Sequence, residues 1–308
     1  GSMQSEFEQA MIDAHEDGLI PDTFRFLRFP PTALVGRHQA LGKEIRLDYC
    51  RENGIGTARR VTGGGTIYFD EGQIGWELVF NRDTLGITSL AELAREICEA
   101  AASGLRKLGV DARYRPRNDI EVDGRKISGT GGFFDGSTLF YQGTVLADMN
   151  PADMLAALNV PQAKLDKHEL DSAAQRIVTL KELLGDVPEM DAIKSALLEG
   201  FAERLGIEAE QGEITDHEEK LAQRLFDEEI GTDAFVAEID DPDSNAGVLS
   251  AAHTSAGGTV SAHVRLEGPK DDRFREVLIS GDFFVTPPRV VLDLEAYLRG
   301  RRTAECRS

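Results

Sequence analysis

The chain has 308 residues, 41% of them hydrophobic and 29% charged, and its net charge is −20, from 34 Lys and Arg against 54 Asp and Glu. That length allows one large and one small domain, each with a sizeable core, and the acidity excludes generic nucleic-acid binding, which needs a basic footprint. No apolar stretch is long enough to span a membrane and no signal-peptide pattern stands out, so a cytoplasmic protein is expected. Gly1-Ser2-Met3 reads as a tag-cleavage scar, with the native start at Met3. Cys50, Cys98 and Cys306 are odd in number, far apart and lack a C-x-x-C, which suits reduced thiols better than a disulfide frame or a zinc site.

In chain order, residues 3–18 place Phe7, Ala10, Met11 and Ala14 on one helical face, ended by Gly18 and Pro21. Residues 24–28 alternate as a strand, and 33–36 form a second after Pro30 and Pro31. Helical spacing resumes over 44–52 through Ile45, Leu47, Asp48 and Cys50, and 67–70 with 74–80 reads as a hairpin around Glu71 and Gly72. The clearest helix covers 89–108. Ser89 and Glu92 make a capping box, Leu90, Leu93, Ile97, Ala101, Leu105 and Leu108 make a buried stripe beside Cys98, and Gly109 stops it. Strands are expected near 112–115, 119–122, 125–128, 132–134 and 138–148, separated by Gly-rich turns. Residues 151–206 read as mostly helical, punctuated by Pro161, Gly185 to Pro188 and Gly206, and the acidic 207–220 reads as a linker. A helix at 216–229 then leads to strands near 233–239, 246–254, 258–267 and 273–280, a last helix at 290–299 and a frayed tail from Gly300. Strands and helices interleave irregularly, with many hairpins. That order predicts an α+β fold, a mixed or antiparallel sheet flanked by helices, rather than a doubly wound one. The expected domains are 3–210 and a small α+β unit over 213–300.

Two stretches carry chemistry. Arg59-Arg60-Val61-Thr62-Gly63-Gly64-Gly65 combines positive charge with a backbone that a ligand can approach closely, so its N–H groups and Arg59 or Arg60 could receive an anion. Asn118-Asp119 with Gly124-Arg125-Lys126-Ile127-Ser128-Gly129 sets a lysine in a glycine-rich hairpin. Together they suggest activation of an acid by a nucleotide. No P-loop, G-x-S-x-G, H-E-x-x-H or EF-hand pattern is present. His15, His38, His168, His217, His253 and His263 do not fall at ligand spacing and read as surface or hydrogen-bonded structural residues.

The stretch Arg59 to Gln73 resembles the RRxxGGGxVxHDxGN signature of lipoate–protein ligases, members of the biotin/lipoate ligase superfamily. Val35 to Gln39 resembles the family's GxxQ turn, Asn118-Asp119-Ile120 with Lys126 to Gly129 its NDI…KISG element, and Gln142-Gly143-Thr144 its HGTLL strand. Ser172 to Leu180 resembles its SVxxRVxxL segment, and Gly281-Asp282-Phe283-Phe284 the accessory domain of two-domain members.

The resemblance implies a catalytic domain like those of class II synthetases and biotin ligases, and a reaction in two steps. Lipoate and ATP form lipoyl-AMP, and the lipoyl group then passes to a lysine of a lipoyl-domain acceptor. That acceptor is an E2 subunit, a glycine cleavage H protein or a specialised lipoate-binding protein. Lys126 would be the catalytic residue, on the acyl carbonyl and α-phosphate. Asp119, with Asn118, would hold Mg²⁺. Arg60, Thr62, Gly63, Gly64, Gly65, Tyr68, Phe69, Asp70, Asn118, Ile127, Ser128, Gly129, Gln142, Gly143 and Thr144 would shape the substrate and adenylate pocket, with Val61, Ile67 and Trp76 as apolar walls. A monomer is expected, with a C-terminal domain that reorients between the two steps.

Three residues depart from the family pattern. Phe69 and Gln142 stand where histidines are usual, and Gln73 where asparagine is. Two other readings stay open: an ATP-independent octanoyl or lipoyl transferase, which needs an exposed low-pKa cysteine, and a non-catalytic lipoate-binding protein.

Overall fold

In the computed structural model, which describes residues 4–116, 118–159, 175–244, 246–255, 258–287 and 289–307, the first helix is α1 (Gln4–Glu16). It buries Ala10, Met11 and Ala14 as its spacing predicts. Strands β1 (Thr23–Leu27) and β2 (Thr32–Val35) follow. The helix expected over 44–52 divides into α2 (Leu41–Glu44) and α3 (Leu47–Glu52), because Ile45 is extended and bridges to Leu158. A strand not anticipated, β3 (Gly56–Arg59), pairs in parallel with β2.

The hairpin expected around Glu71 and Gly72 does not form. β4 (Ile67–Phe69) pairs with β2 in a sheet ordered β3-β2-β4, while β5 (Gln73–Asn81) joins a larger sheet. The turn between them is instead fastened to a distant segment: Ala147 and Asp148 donate their N–H groups to Gly72 O. A Cβ on Gly72 would stand 1.3 Å from Asp148 O, so only glycine fits.

Helix α4 (Leu90–Lys107) matches its pattern, with Ser89 Oγ accepting the Glu92 N–H and Gly109 at φ +93°. β6 (Arg113–Arg115), β7 (Asp119–Val122), β8 (Arg125–Asp135) and β9 (Thr138–Leu146) complete a six-stranded antiparallel sheet ordered β1-β5-β9-β8-β7-β6. β8 is one strand where two were expected. Its glycines serve close packing rather than a turn, for a Cβ on Gly132 would stand 2.3 Å from Phe140 O. Helices α5 (Pro151–Ala157), α6 (Leu180–Leu184) and α7 (Met190–Leu205) follow. Pro161, His168 and Ser172 to Ala174, named above, lie outside the described residues.

One face of the large sheet packs Trp76, Leu78 and Tyr141 against Ile97 and Leu105 of α4 and Leu197 and Phe201 of α7. Those two helices approach so closely that a Cβ on Gly104 would lie 2.5 Å from Ala196 O. The other face packs Val79, Phe133 and Phe140 against Met11 and Ile12 of α1. β5 is therefore covered on both sides, which explains its continuous burial from Gln73 to Phe80.

Residues 208–214 are exposed and outside helix and strand. Helix α8 (Asp216–Glu228), with a capping box between Thr215 and Glu218, lies on α1, where Ala222 and Leu225 meet Ala10 and Val61. The strand expected over 233–239 is instead a short helix, α9 (Asp233–Val236): the Thr232 hydroxyl accepts the Phe235 N–H, and that cap overrides the β-branched composition. β10 (Leu249–Ser255), β11 (Gly258–Glu267) and β12 (Arg273–Gly281) form an antiparallel sheet. Against it sits α10 (Val290–Leu298), whose Glu295 Oε1 accepts the Ile279 N–H at 2.7 Å. The tail is not frayed: Arg302 bridges to Arg273, and 303–307 make a 3₁₀ turn. Among the described residues no helix is long and apolar enough to cross a membrane.

Candidate active site

β4, β5, β8 and β9 enclose a cavity of about 330 Å³, in the range of small-ligand sites. One end is apolar, walled by Leu27, Phe29, Leu34, Phe69, Leu146 and Met149, with the Phe29 and Phe69 rings stacked at 4.2 Å. Glycine makes this space. A Cβ on Gly75 would stand 2.8 Å from Leu27 Cδ1 on the cavity face, whereas one on Gly143 would stand 2.2 Å from the Trp76 ring on the core face.

Lys126, the second residue of β8, lines the cavity with Asn118, Gly129 and Thr144. Its backbone is pinned by segment 176–178: the Lys126 N–H donates to Arg176 O, and Lys126 O accepts the Val178 N–H. Its side chain curls back along the strand, so that a Cβ on Gly129 would lie 2.6 Å from Nζ. The ammonium meets Asp119 Oδ1 at 2.8 Å, and Arg115 Nη2 reaches Asp119 Oδ2 at 2.5 Å. Burial would raise the Asp119 carboxyl, but the two cations outweigh it and hold the group below its ordinary range. Asp119 is thus ionised, and its charge keeps the lysine in place. For Mg²⁺ it offers one carboxylate, which suits the ion only with substrate phosphate oxygens completing the shell. Among the described residues no three His, Cys, Asp or Glu side chains gather at metal-holding distance.

The two adjacent arginines have opposite fates. Arg59 does not face an anion site: its guanidinium donates to the backbone carbonyls of Gly36, Arg37, Gln39, Phe235, Val236 and Ile239. It is a structural clamp, with burial pushing its pKa down to about 10. Arg60 is buried on the cavity wall and donates to Thr62 Oγ1 and to Gly65 O. Thr62 Oγ1 also accepts from Gln142 Nε2 at 2.9 Å, so Thr62 braces two wall residues from behind.

Of the other residues expected at the pocket, Gly65, Tyr68, Phe69, Gln142, Gly143 and Thr144 line the cavity, as do Ile67 and Trp76. Ile127 instead lies in the main core and Ser128 is buried beside it, while Asp70 receives the Gly72 N–H in the β4–β5 turn. Val61 packs with α1 and α8 rather than on the cavity.

Gly63 and Gly64 lie under Phe283 and Phe284. The Gly64 N–H donates to Phe283 O, and a Cβ on Gly64 (φ +90°) would stand 2.5 Å from the Phe284 ring. Phe284 also covers Gly131 and lines the cavity. We expect Gly131→Ala, whose Cβ would lie 2.7 Å from Phe284 Cε1, to weaken acid binding about 10-fold through overpacking of about 1–2 kcal/mol. Adding Phe284→Ala should restore it, and a double variant as weak as the single would refute the contact. Wall residues that the sequence reading did not single out include Glu8 and Glu77. No short-range signal marks Glu8, an acid on a helix whose other polar positions look solvent-facing.

His38 packs against the segment that follows β12. Its ring stacks on Phe283 at 5.0 Å, and its carbonyl accepts the Gly281 N–H. Burial, then the charges of Arg37 and Arg59, push its pKa down from 6.5 to about 4. The unfolded chain therefore binds a proton that the folded one refuses. Stability is full above pH 6.5 and falls as pH drops toward 4. Relative to His38→Gln, the wild type is expected to lose about 2 kcal/mol between pH 7 and pH 5 in urea unfolding. Parallel losses in both proteins would contradict this.

Among the described residues no cysteine lines the cavity. Cys50 and Cys98 are fully buried, and burial pushes both thiols up, away from the reactive thiolate.

A family model described as the lipoyl protein ligase A/B catalytic domain matches residues 2–202. Lipoate-protein ligase A subunit 1 of Thermoplasma acidophilum is 31% identical over 243 residues, covering 76% of this chain and 90% of its own. An octanoyltransferase of Kyrpidia tusciae is 29% identical over 243 residues, covering 71% of this chain and 88% of its own. Among solved structures, the bi-partite lipoate protein ligase of Thermoplasma acidophilum, studied with its E2 lipoyl domain, matches with a TM-score of 0.70 at 28% identity, covering 77% of this chain and 91% of that one. A lipoate-protein ligase A bound with ATP matches with a TM-score of 0.68 at 28% identity, covering 77% of this chain and 94% of that one.

Proposed function

We propose that this chain, which belongs to the lipoyl protein ligase A/B catalytic-domain family, is an ATP-dependent lipoate–protein ligase. In this reading residues 3–210 form the catalytic domain and 213–300 an accessory domain. The observation that carries it is the pairing of a lysine at one end of a largely apolar cavity with the absence of any cysteine on that cavity's described wall.

A carboxylate is a poor electrophile and must be activated before an amine can attack it. The lipoate carboxylate attacks the α-phosphorus of ATP, the bond to the β-phosphate oxygen breaks, and pyrophosphate leaves. Lys126 supplies positive charge where the two anions meet, and Asp119 with Arg115 orients it. The acceptor lysine then attacks the acyl carbonyl, forms the amide and expels AMP. The apolar end holds the acyl chain away from water. Asp119 is the candidate Mg²⁺ ligand, the ion neutralising phosphate charge. The ligase related in sequence was studied with an E2 lipoyl domain, which makes a lipoyl-domain protein the favoured acceptor. The protein is read as a cytoplasmic monomer. Phe284 gives residues 213–300 a direct contact with the cavity, and their reorientation between the two steps belongs to the same reading.

A second reading is an octanoyltransferase, favoured by the relatives that bear that name. It needs a thioester-forming cysteine, against which stand the burial of Cys50 and Cys98. Pyrophosphate release separates the two. Release that requires both lipoate and Mg-ATP supports the ligase; its absence, with octanoyl transfer from a thioester donor, supports the transferase.

A further inference from the structure

We propose that Ser280, His263 and Asp243 form a second reactive centre, a serine nucleophile with its general base, which cleaves esters of short-chain acids. It lies in a groove of about 550 Å³ between the β10–β12 sheet and residues 39–44. This groove shares no described lining residue with the Lys126 cavity.

Strand register brings the groups together. Ser250 pairs with His263 and Ser261 with Ser280, and Ser261 stands two residues before His263 on β11, so all four side chains share one face of the sheet. The imidazole is the centre of that face. Its Nε2 meets Ser280 Oγ at 2.9 Å, and its Nδ1 meets Asp243 Oδ1 at 2.9 Å and Ser250 Oγ at 2.8 Å. His263 and Ser280 are buried but line the groove, and Asp243 reaches in from the 3₁₀ turn over 242–244.

Hydrogen-bond chemistry fixes where the protons sit. The Asp243 carboxyl is held well below its ordinary range, first by Lys43 and then by Ser250 and His263, so it is ionised and only accepts. The Ser250 hydroxyl donates to the same carboxylate, so toward Nδ1 it too can only accept. Both contacts require the proton on Nδ1. In the neutral imidazole Nε2 is then a bare lone pair, and the Ser280 hydroxyl donates to it. Nucleophile, base and orienting acid stand in the order that activates a serine.

Ser280 Oγ adds to the ester carbonyl carbon as its proton passes to His263 Nε2. The bond to the alcohol oxygen breaks, the alcohol leaves with that proton, and an acyl-serine remains. Water gives a proton to Nε2 and adds to the acyl carbon; the acid leaves and Oγ regains the proton. Lys43, the only Lys or Arg among the described lining residues, is ion-paired with Asp243 and supplies charge to the oxyanion. The floor carries short side chains, Ala251, Ala252, Thr259 and Ser261, and no aromatic or branched aliphatic residue lines it. A medium-length acyl chain finds no apolar trough there, which limits the acid to a few carbons.

The test needs neither lipoate nor ATP, so its result is independent of the ligase reading. The full chain is treated with a fluorophosphonate and, separately, with p-nitrophenyl acetate, and the modified residue is located by peptide mass spectrometry. A single phosphonyl group on Ser280 is expected, together with a stoichiometric burst of nitrophenolate. Urea-unfolded protein should stay unlabelled, since only the folded arrangement pairs the hydroxyl with its base. Asp243→Asn should slow labelling about 100-fold or more, because an asparagine amide donating to Nδ1 turns the imidazole to the wrong tautomer. Ser280→Ala should abolish the burst. Folded wild type that takes no label, label on Ser250 in place of Ser280, or Asp243→Asn labelling within about twofold of wild type would each overturn the proposal. The network would then be a hydrogen-bonded staple across three strands.

Discussion

Lys126→Ala should lower lipoate-dependent pyrophosphate release about 100- to 1,000-fold, the usual effect of losing one preorganised charge at a developing anion. The same variant should stay within about 1 kcal/mol of wild type in chemical unfolding, because its ion pair with Asp119 is partly exposed and Arg115 still holds the carboxylate. Lys126→Arg should not rescue the rate. The lysine head fits against Gly129, where a Cβ would already stand 2.6 Å from Nζ, and a broader planar guanidinium has no such space. Rate measurements on stopped-flow single turnovers with both variants test this. A Lys126→Ala enzyme within about 10-fold of wild type would move the charge stabilisation elsewhere in the site.

Arg59→Ala should fail in the opposite way, losing stability rather than a catalytic group. Its guanidinium satisfies six backbone carbonyls from two segments, 36–39 and 235–239. Several of these lie in buried surroundings, and unpaired carbonyls there are expensive, so an overall loss of about 4 kcal/mol is expected. Arg59→Lys should recover only part of it, since an ammonium has three donors and no fork. Urea unfolding gives the number directly. A change under about 1 kcal/mol would mean that water replaces the clamp. Two neighbouring arginines, one a clamp and one a cavity wall, thus separate into a stability phenotype and a binding phenotype.

That pair also shows where sequence reasoning reaches its limit. Helix α4 was legible because its cap, stripe and stop all lie within 21 residues of chain. Lys126, Gly129 and Gly65 line one cavity, a proximity that the local pattern of glycine and lysine anticipates. The role of Arg59 was not legible, since its partners come from segments 36–39 and 235–239, whereas Arg60 bonds Thr62 and Gly65 within its own stretch. β4 and β5 looked like a hairpin because a turn and two apolar runs fit one, but Gly72 is fastened to residues 147–148, and each strand finds its partner elsewhere. Glu77 was hidden because β5 is buried on both faces, which erases the alternation that marks a lining residue. Glycines at 63 and 64 were read as ligand-facing, whereas their missing Cβ atoms make room for Phe283 and Phe284. In that case composition was informative about a close approach but silent about what approaches.

Mass spectrometry of an apo lipoyl domain incubated with this protein and one of two donors separates ligase from transferase. The first is free lipoate with Mg-ATP, and the second is an octanoyl thioester of a carrier protein without ATP. A lipoyl adduct on the acceptor lysine is expected from the first mixture, dependent on ATP and lost with Lys126→Ala, and none from the second. Acyl transfer from the thioester alone would contradict that expectation and make the protein a transferase.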